Sequence, residues 1–145
     1  NVAGAHNQYG EEAEDTHLLS RICNAAATND MFKIYGDDYF TEDGTCVRDY
    51  VDVRDVCRAI IFALQNDIVG TYNLGTKQGT SVKDMITKFQ SLTGQQLNWE
   101  VAARRPGDPS FLVADPTKFK QCGFEYKYGI DDIINSSWGY FKNGI

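Results

Sequence analysis

A regular apolar stripe between positions 53 and 64 constrains the fold more than any other feature of this sequence. Its members recur at the spacing i, i+3, i+4, i+7, i+8 and i+11: Val53, Val56, Cys57, Ile60, Ile61 and Leu64. This spacing puts them on one face of an amphipathic helix. Asp52 precedes the stripe, and aspartate is a preferred residue at a helix N-cap. The sequence therefore predicts a helix over positions 53–66 with an apolar face that packs against a core.

Three further helices and four strands are predicted by the same reasoning. The helices cover about 16–28, 82–92 and 131–142, and Ser81 is placed to cap the second of them. A short helical turn is expected at Asp115-Pro116, because proline suits the first turn of a helix. Strand candidates at 31–35, 50–53, 71–74 and 97–101 lie between the helices. Strands that alternate with helices indicate an α/β layered fold.

All three prolines fall within one window of the sequence, at Pro106, Pro109 and Pro116. Proline lacks a backbone donor and restricts the residue before it, so the segment ARRPGDPSFLVADP at 103–116 cannot be regular over much of its length. We expect a loop of defined shape. Loops that carry arginine pairs are good candidates for binding sites, and this one contains Arg104-Arg105.

Length and composition are those of one ordinary globular domain. The chain has 145 residues, of which 42% are hydrophobic and 23% charged. Its net charge of −6 argues against a nucleic-acid partner, since phosphate contacts need clustered lysine and arginine. No apolar run approaches the roughly 20 residues of a membrane span, so no membrane partner is expected. Because the sequence opens on Asn1 rather than Met, we interpret it as a piece of a longer polypeptide.

The four cysteines are expected to be free thiols. Cys23, Cys46, Cys57 and Cys122 form no CxxC pair and show no regular spacing. Cys23 and Cys57 fall on the apolar faces of predicted helices, which predicts that both are buried. Free thiols indicate a reducing compartment, so we expect a cytoplasmic protein.

Several catalytic and phosphate-binding motifs are absent from the sequence. It contains no G-x-G-x-x-G, no Walker A loop, no HExxH and no nucleophile elbow. The glycines of NLGTKQGTS at 73–81 fit a tight turn that leads into a capped helix. His6 is expected to be structural or solvated, whereas for His17 ligand contact and simple exposure at a helix start stay open. The acidic residues between 11 and 15 predict a solvated face at the beginning of the first helix.

Arg48 and Arg105 are the strongest candidates for a binding site. Each lies in a constrained context with an acid close by, Asp49 in one case and Asp108 in the other. The guanidinium group presents a planar fork of donors that matches a phosphate or a carboxylate. Two arginines that converge from distant segments would form a diphosphate clamp. From the residues alone, the alternative is a pair of internal Arg–Asp salt bridges.

Six segments, in this order, resemble the UDP-glucose 4-epimerases of the extended short-chain dehydrogenase/reductase superfamily. They are NVAGAH at 1–6, THLLSRI at 16–22, KIYGDDYFTEDGTCVRDYVDVRDV at 33–56, YNLGTKQGTSVKD at 72–84, ARRPGD at 103–108 and ADPTKFKQCGFEYKY at 114–128. The resemblance extends over essentially the whole chain. It implies that positions 1–145 form the carboxy-terminal, UDP-sugar-binding part of such an enzyme, together with late segments that complete a Rossmann sheet.

The same resemblance implies the chemistry and the cofactor of the whole enzyme. Such epimerases bind NAD on an amino-terminal Rossmann domain and interconvert UDP-glucose and UDP-galactose through a 4-keto intermediate. In the family, the glycine-rich fingerprint and the Tyr-x-x-x-Lys pair precede the position of Asn1. We therefore expect the isolated chain to be inactive, the cofactor-binding residues to lie outside it, and a homodimer to be possible for the full-length enzyme. Preference for a hexose, an N-acetylhexosamine or a pentose stays open.

Nine residues of this chain match substrate-binding positions of the family. Asn1 corresponds to a contact near the phosphate or sugar, and His17 and Leu18 to contacts with the diphosphate-sugar. Lys33 and Tyr35 correspond to the segment that lines uracil. The remaining four are Arg48 and Arg105, which correspond to diphosphate ligands, Tyr50, which lies near the nucleotide, and Asp108, which binds the ribose hydroxyls. No catalytic or metal-ligating residue is expected among the 145.

Two other functions are compatible with the same residues. One is a non-catalytic nucleotide-binding or interaction module derived from an epimerase. The other is a related NAD-dependent enzyme that modifies sugar nucleotides, such as a dehydratase or a decarboxylase. The DGTCVRDY segment at 43–50 favours the epimerase over the latter.

Overall fold

The computed structural model describes residues 1–6, 9–10 and 17–144. The chain forms five helices and seven short strands within these residues. In chain order they are β1 (Val2–Ala3), α1 (Leu18–Thr28), β2 (Phe32–Tyr35), β3 (Val47–Asp49), β4 (Val51–Asp52), α2 (Val53–Gln65), β5 (Gly79–Ser81), α3 (Val82–Thr93), β6 (Trp99–Ala102), β7 (Phe111–Leu112), α4 (Thr117–Lys120) and α5 (Ile130–Gly144). The predicted acidic face at 11–15 lies outside the described residues.

The strands form three small sheets rather than one. β1 pairs with β4 and β2 pairs with β6, both in parallel. β3 is the middle strand of the third sheet, antiparallel to β5 and parallel to β7. Parallel neighbours need long crossover connections, and here the helices supply several of them. The α/β class expected from the alternating elements is confirmed.

The main core lies where α1, α3 and α5 meet β2. Its fully buried side chains are Leu19, Ile22, Cys23, Ile34, Met85, Phe89, Ile133 and Ile134. The helical members recur at the three- and four-residue spacing of the predicted helices, and Ile34 lies within the strand predicted at 31–35. A smaller aromatic cluster of Phe62, Tyr72, Phe119, Phe124 and Tyr126 lies under α2 and α4.

The predicted helix caps are present in the structure. Asp52 accepts a hydrogen bond from the backbone N–H of Arg54 at 2.8 Å. Ser81 accepts one from Asp84 at 3.0 Å. The short helix α4 begins at Thr117, so Pro116 is its N-cap residue and not the first-turn proline that the sequence predicts; Asp115, one residue earlier, accepts from Thr117 N at 3.0 Å. Each cap satisfies a donor that a helix start would otherwise leave unpaired.

Two strand predictions are wrong in detail. Residues 71–74 form no strand; Tyr72 and Leu74 pack on the small aromatic cluster, while Thr71 O accepts from the Lys118 ammonium group at 2.9 Å. The strand expected at 50–53 is reduced to the two residues of β4, because α2 begins at Val53, and β3 just before it belongs to a different sheet. Both segments carry the alternating apolar residues typical of a strand, but a strand forms only where another strand lies within hydrogen-bonding distance.

The apolar stripe of α2 is the largest departure from the sequence-based expectation. Its buried residues are Asp55 and Ala59, whereas Ile60, Ile61 and Leu64 are 55%, 53% and 75% exposed. Cys57 is exposed as well, contrary to prediction. All four cysteines are free, as expected, with Cys23 and Cys46 buried. No helix in the described part of the chain has the length and apolarity needed to cross a membrane.

Three aspartates spaced i, i+3 and i+6 fasten the segment from β3 to α2. Asp49 is 4% exposed and accepts backbone hydrogen bonds from Thr76 and Lys77 at 3.0–3.1 Å and from Ala114 at 3.3 Å. Asp55, fully buried, accepts from the backbone N–H groups of residues 127 and 128 at 2.9–3.2 Å. Asp52, also fully buried, caps α2 and pairs with Arg54 at 2.7 Å. These charges inside an apolar run are therefore paired, not solvated.

Candidate functional site

A cleft opens between the start of α1, the ends of β2 and β3, and the loop that follows β6. It has a volume of about 860 Å³ when the space open to solvent is counted. All nine residues that the sequence predicts as binding residues line it: Asn1, His17, Leu18, Lys33, Tyr35, Arg48, Tyr50, Arg105 and Asp108. Segments up to 107 positions apart are thus brought together. That these residues contact a nucleotide stays a prediction.

Arg48 and Asp108 form the central ion pair of the cleft. Arg48 lies on β3 and Asp108 on the proline-rich loop, and the guanidinium NH2 group donates to the Asp108 carboxylate. The Arg48 NH1 group also donates to the Val47 carbonyl at 2.7 Å. One internal Arg–Asp salt bridge, the alternative that the sequence left open, is therefore present for Arg48. Its partner is Asp108 and not the neighbouring Asp49, which accepts from the backbone of the 76–77 loop.

Arg105 and Arg21 flank the aromatic wall of the cleft. The Arg105 guanidinium lies 4.1 Å from the centre of the Tyr35 ring, and Arg21 lies 5.4 Å from the same ring and 5.3 Å from Phe32. Cation–π contacts of this kind hold an arginine in place without neutralising its charge. Arg105 also lowers the pKa of Tyr35, since a hydrogen bond from the guanidinium stabilises the phenolate. Both arginines keep donors available to a bound anion.

β2 presents polar backbone groups to the cleft. Phe32 N donates to Asn98 O, just before β6, at 2.8 Å, and Gly36 N donates to Ala102 O, at the end of β6, at 2.9 Å. Backbone groups alternate in direction along a strand, so those of Lys33 and Tyr35 face away from β6. This edge of β2 can therefore offer donors and acceptors to a planar ligand beside the Tyr35 ring. The Lys33 side chain forms a half-exposed ion pair with Glu100 at 3.6 Å.

The remaining predicted residues form the floor and one side of the cleft. Asn1 is fixed through its backbone, because its nitrogen donates to Asp49 O at 2.6 Å and its oxygen accepts from Val51 N at 2.9 Å. His17 is the N-cap residue of α1, and Leu18 begins that helix. Tyr50 is 5% exposed and belongs to the core, so it supports the floor.

The charge of the cleft is opposite to that of the chain. Four cationic side chains line it, Arg21, Lys33, Arg48 and Arg105, against the single carboxylate of Asp108. The whole chain carries −6. Cations clustered in a concave site raise the local concentration of anionic ligands. Among the described residues no group of His, Cys, Asp or Glu is arranged to hold a metal ion.

Besides apolar lining residues, sequence reasoning missed the cationic Arg21 and the thiol of Cys46. Arg21 follows His17 by one helical turn, and its N–H donates to His17 O at 3.1 Å. The i, i+4 spacing from His17 was a usable signal, because residues at this spacing share a helix face. Cys46 carried no such signal, since a buried thiol next to β3 is typical of a core.

The sequence profile of the NAD dependent epimerase/dehydratase family matches residues 1–75, a little more than half of the chain. The chain belongs to this family. The UDP-glucose 4-epimerase of Lactobacillus helveticus is 40% identical to it over 153 aligned positions, which cover 99% of this chain and 46% of that protein. The chain thus spans about half the length of the curated relatives it matches.

Solved structures of family members share the fold. The UDP-glucose-4-epimerase of Stenotrophomonas maltophila, with bound NAD and formylated UDP-arabinopyranose, superposes with a TM-score of 0.91 at 33% identity. The enzyme of Bifidobacterium longum in complex with NAD+ and UDP gives 0.88 at 32% identity. In both cases the match covers 99% of this chain and 46% of the other. The predicted resemblance is confirmed, and the chain matches part of these NAD-dependent proteins.

Proposed function

We propose that this chain is the UDP-sugar-binding part of an NAD-dependent UDP-hexose 4-epimerase that interconverts UDP-glucose and UDP-galactose. The observation that carries the proposal is the cleft with four cations and one carboxylate in a chain of net charge −6. A nucleoside diphosphate needs both features: cations for the phosphates and an acceptor for the ribose hydroxyls. The relative from Lactobacillus helveticus, a UDP-glucose 4-epimerase, aligns with this chain over about half of its own length.

Arg48 and Arg105 bind the diphosphate in this proposal. They come from β3 and from the proline-rich loop and approach the cleft from two sides. Neither is fixed by backbone acceptors alone: Arg48 pairs with Asp108 and Arg105 lies on Tyr35. A phosphate can therefore replace or join these contacts without breaking a strand. Each charged hydrogen bond would contribute about 1.5–3 kcal/mol.

In this proposal the rest of the cleft binds the nucleoside and the sugar. The Asp108 carboxylate accepts hydrogen bonds from the ribose hydroxyls, and uracil lies against Tyr35 along the backbone edge of Lys33 and Tyr35. Asn1, His17 and Leu18 are the contacts on the phosphate and sugar side, with Tyr50 below them.

NAD belongs to the part of the enzyme that this chain does not supply. A dinucleotide pyrophosphate binds where a parallel strand leads through a glycine-rich turn into a helix N-terminus. Here β4 runs directly into α2, and the buried Asp52 carboxylate fills that helix start. This helix start therefore does not fit a dinucleotide pyrophosphate, and we assign no catalytic residue among the described residues. The isolated chain is inactive in this proposal, and the whole enzyme is a cytoplasmic homodimer.

Calorimetric titration with UDP tests the binding proposal. The wild-type chain should bind UDP, and Arg48→Ala should bind it roughly 10- to 100-fold more weakly, as expected for a lost charged hydrogen bond. Arg104→Ala is the matched control, because Arg104 is exposed and its guanidinium pairs with Asp38 outside the cleft. Equal UDP affinity in the wild type and Arg48→Ala would contradict the proposal, as would equal losses in the two variants.

A further inference from the structure

Arg21 lines the cleft, but the proposed function gives it no part of the ligand to bind. It belongs to the first turn of α1, which follows the N-cap residue His17. Its backbone is fixed there, since its N–H donates to His17 O at 3.1 Å. α1 packs into the main core through Leu19 and Ile22, so the Arg21 side chain reaches the cleft from a rigid element.

The Arg21 guanidinium lies over two aromatic rings, at the side of the cleft that α1 and β2 form. Its central carbon is 5.3 Å from the centre of the Phe32 ring and 5.4 Å from that of Tyr35. A cation held over ring faces keeps its N–H donors for other partners, because the attraction comes from the π-electrons and not from a hydrogen bond. Arg48 and Asp108 approach from β3 and the proline-rich loop instead. Arg21 is therefore placed beside the base of the proposed ligand rather than beside its diphosphate.

β2 presents a carbonyl and an N–H group side by side next to these rings. The N–H groups of Phe32 and Gly36 donate towards β6, so the backbone groups of Lys33 and Tyr35 face the other way. Along that edge Lys33 O is followed by Tyr35 N–H, an acceptor beside a donor. Uracil presents three groups in a row on its hydrogen-bonding edge: a carbonyl, the N3–H and a second carbonyl. The strand can pair with the N3–H and one carbonyl, which leaves the other carbonyl oxygen for a further donor.

We propose that Arg21 is a further substrate-binding residue, which donates to this second carbonyl oxygen and so contributes to the selection of uracil. The inference rests on the proposed function and adds a determinant of base specificity to it. With Tyr35 N–H, Lys33 O and Arg21, the site would present donor, acceptor and donor, the complement of the uracil edge. A guanidinium can only donate. A base with fewer than two carbonyls on this edge would therefore leave a donor of the site unpaired, which strongly disfavours binding.

Two thio analogues of UDP test this contact, because sulfur is a weaker hydrogen-bond acceptor than oxygen. Calorimetric titration of the wild-type chain with UDP, 2-thio-UDP and 4-thio-UDP measures the cost of weakening each carbonyl in turn. The analogue altered at the carbonyl that Arg21 binds should have about 10-fold lower affinity than UDP, as expected for a charged hydrogen bond. In Arg21→Met, the affinity for UDP itself should fall about 10-fold, and that analogue should match UDP within about 2-fold.

Arg105→Met is the matched control, since Arg105 also lies over the Tyr35 ring, at 4.1 Å from its centre, but binds the diphosphate in the proposed function. This variant should lower the affinities for UDP and for both analogues by the same factor. Arg21→Met should lower the affinities for UMP and UDP by the same factor, because the two ligands share the base. Arg21→Gln, which retains a neutral donor, should restore part of the discrimination between UDP and the analogue, so the test does not depend on the methionine variant alone.

Three results would overturn the inference while the proposed function stands. The first is a wild-type ratio of UDP affinity to the affinity for each analogue in Arg21→Met, as a side chain that only supports the Tyr35 ring would give. The second is a larger loss for UDP than for UMP in that variant, which would assign Arg21 to the phosphates. The third is equal binding of UDP and both analogues by the wild type. Failure of the wild-type chain to bind UDP would instead overturn the proposed function, and this inference with it.

Discussion

Two sets of charges lie within a few positions of each other on the β3–α2 segment, and they are paired in different ways. Asp49, Asp52 and Asp55 are buried, and each accepts hydrogen bonds from backbone N–H groups. Arg48, on the same segment, is paired with the side chain of Asp108 in the cleft. Backbone partners cannot be exchanged without loss of the fold, whereas side-chain partners can turn to a ligand. Each buried aspartate has backbone N–H donors that a ligand cannot replace, even where it also pairs with an arginine, whereas the Arg48–Asp108 pair lines the cleft.

Substitution of Asp49 tests the buried structural charges, and we expect it to lower the free energy of unfolding more than the other substitutions do. Asp49→Ala leaves the N–H groups of Thr76, Lys77 and Ala114 without their buried acceptor. We expect a loss of about 3–5 kcal/mol in the free energy of unfolding, measured by urea denaturation. Asp84→Ala is the control: its exposed carboxylate pairs with Lys88 at 3.9 Å, and its loss should cost less than about 1 kcal/mol. Similar costs for the two variants would contradict the distinction.

Substitution of Arg105 tests the candidate binding charges. It should lower the affinity for UDP and leave the free energy of unfolding nearly unchanged. Arg105 is exposed and lies on Tyr35, so its removal should change the free energy of unfolding by about 0.5 kcal/mol or less. Arg105→Ala should weaken UDP binding about 10-fold or more. Arg105→Lys should recover part of that loss, because lysine keeps the charge without the planar fork. If the alanine variant unfolded more easily and bound UDP normally, Arg105 would belong with the structural charges.

Alkaline titration gives the smallest effect and concerns Tyr39, which is 6% exposed. Its pKa is raised to about 12, chiefly by burial, from an ordinary value near 10. The folded chain therefore holds this proton more tightly than the unfolded chain does. The resulting stability is fully present below about pH 10 and is lost as the pH rises towards 12. Tyr39→Phe should flatten this part of the stability profile, and an unchanged slope between pH 10 and 12 would contradict the assignment.

The sequence predicted the existence of the main helices because their signals are local. Apolar spacing located α1, α3 and α5, and the caps Asp52 and Ser81 directly precede α2 and α3. The orientation of α2 was not predictable in this way. Asp55 is drawn inward by the backbone of residues 127–128, which turns the face with Ile60 and Leu64 outward. A hydrophobicity pattern cannot predict that a buried carboxylate determines which face of the helix packs inward.

The candidate site shows the same division between local and distant information. Resemblance over short segments picked out nine residues, and the fold places all nine around one cleft. Which acid each arginine meets was not accessible from the sequence. Asp49 follows Arg48 directly, yet Asp108, sixty positions away, is its partner. Successive residues of a strand point to opposite sides, so adjacent charges on β3 are separated by the strand itself.

By itself, the sequence predicted the α/β class, the main helices, the free thiols and nine residues that the fold brings to one cleft. These follow from spacing, from cap chemistry and from short segments whose order is preserved. Only the tertiary structure decided that Arg48 pairs with Asp108, that Arg21 and Cys46 join the cleft, and that Tyr39 is buried. The reason is physical: a hydrogen bond is satisfied by whichever group the fold brings within reach, and that neighbour is rarely adjacent in the chain.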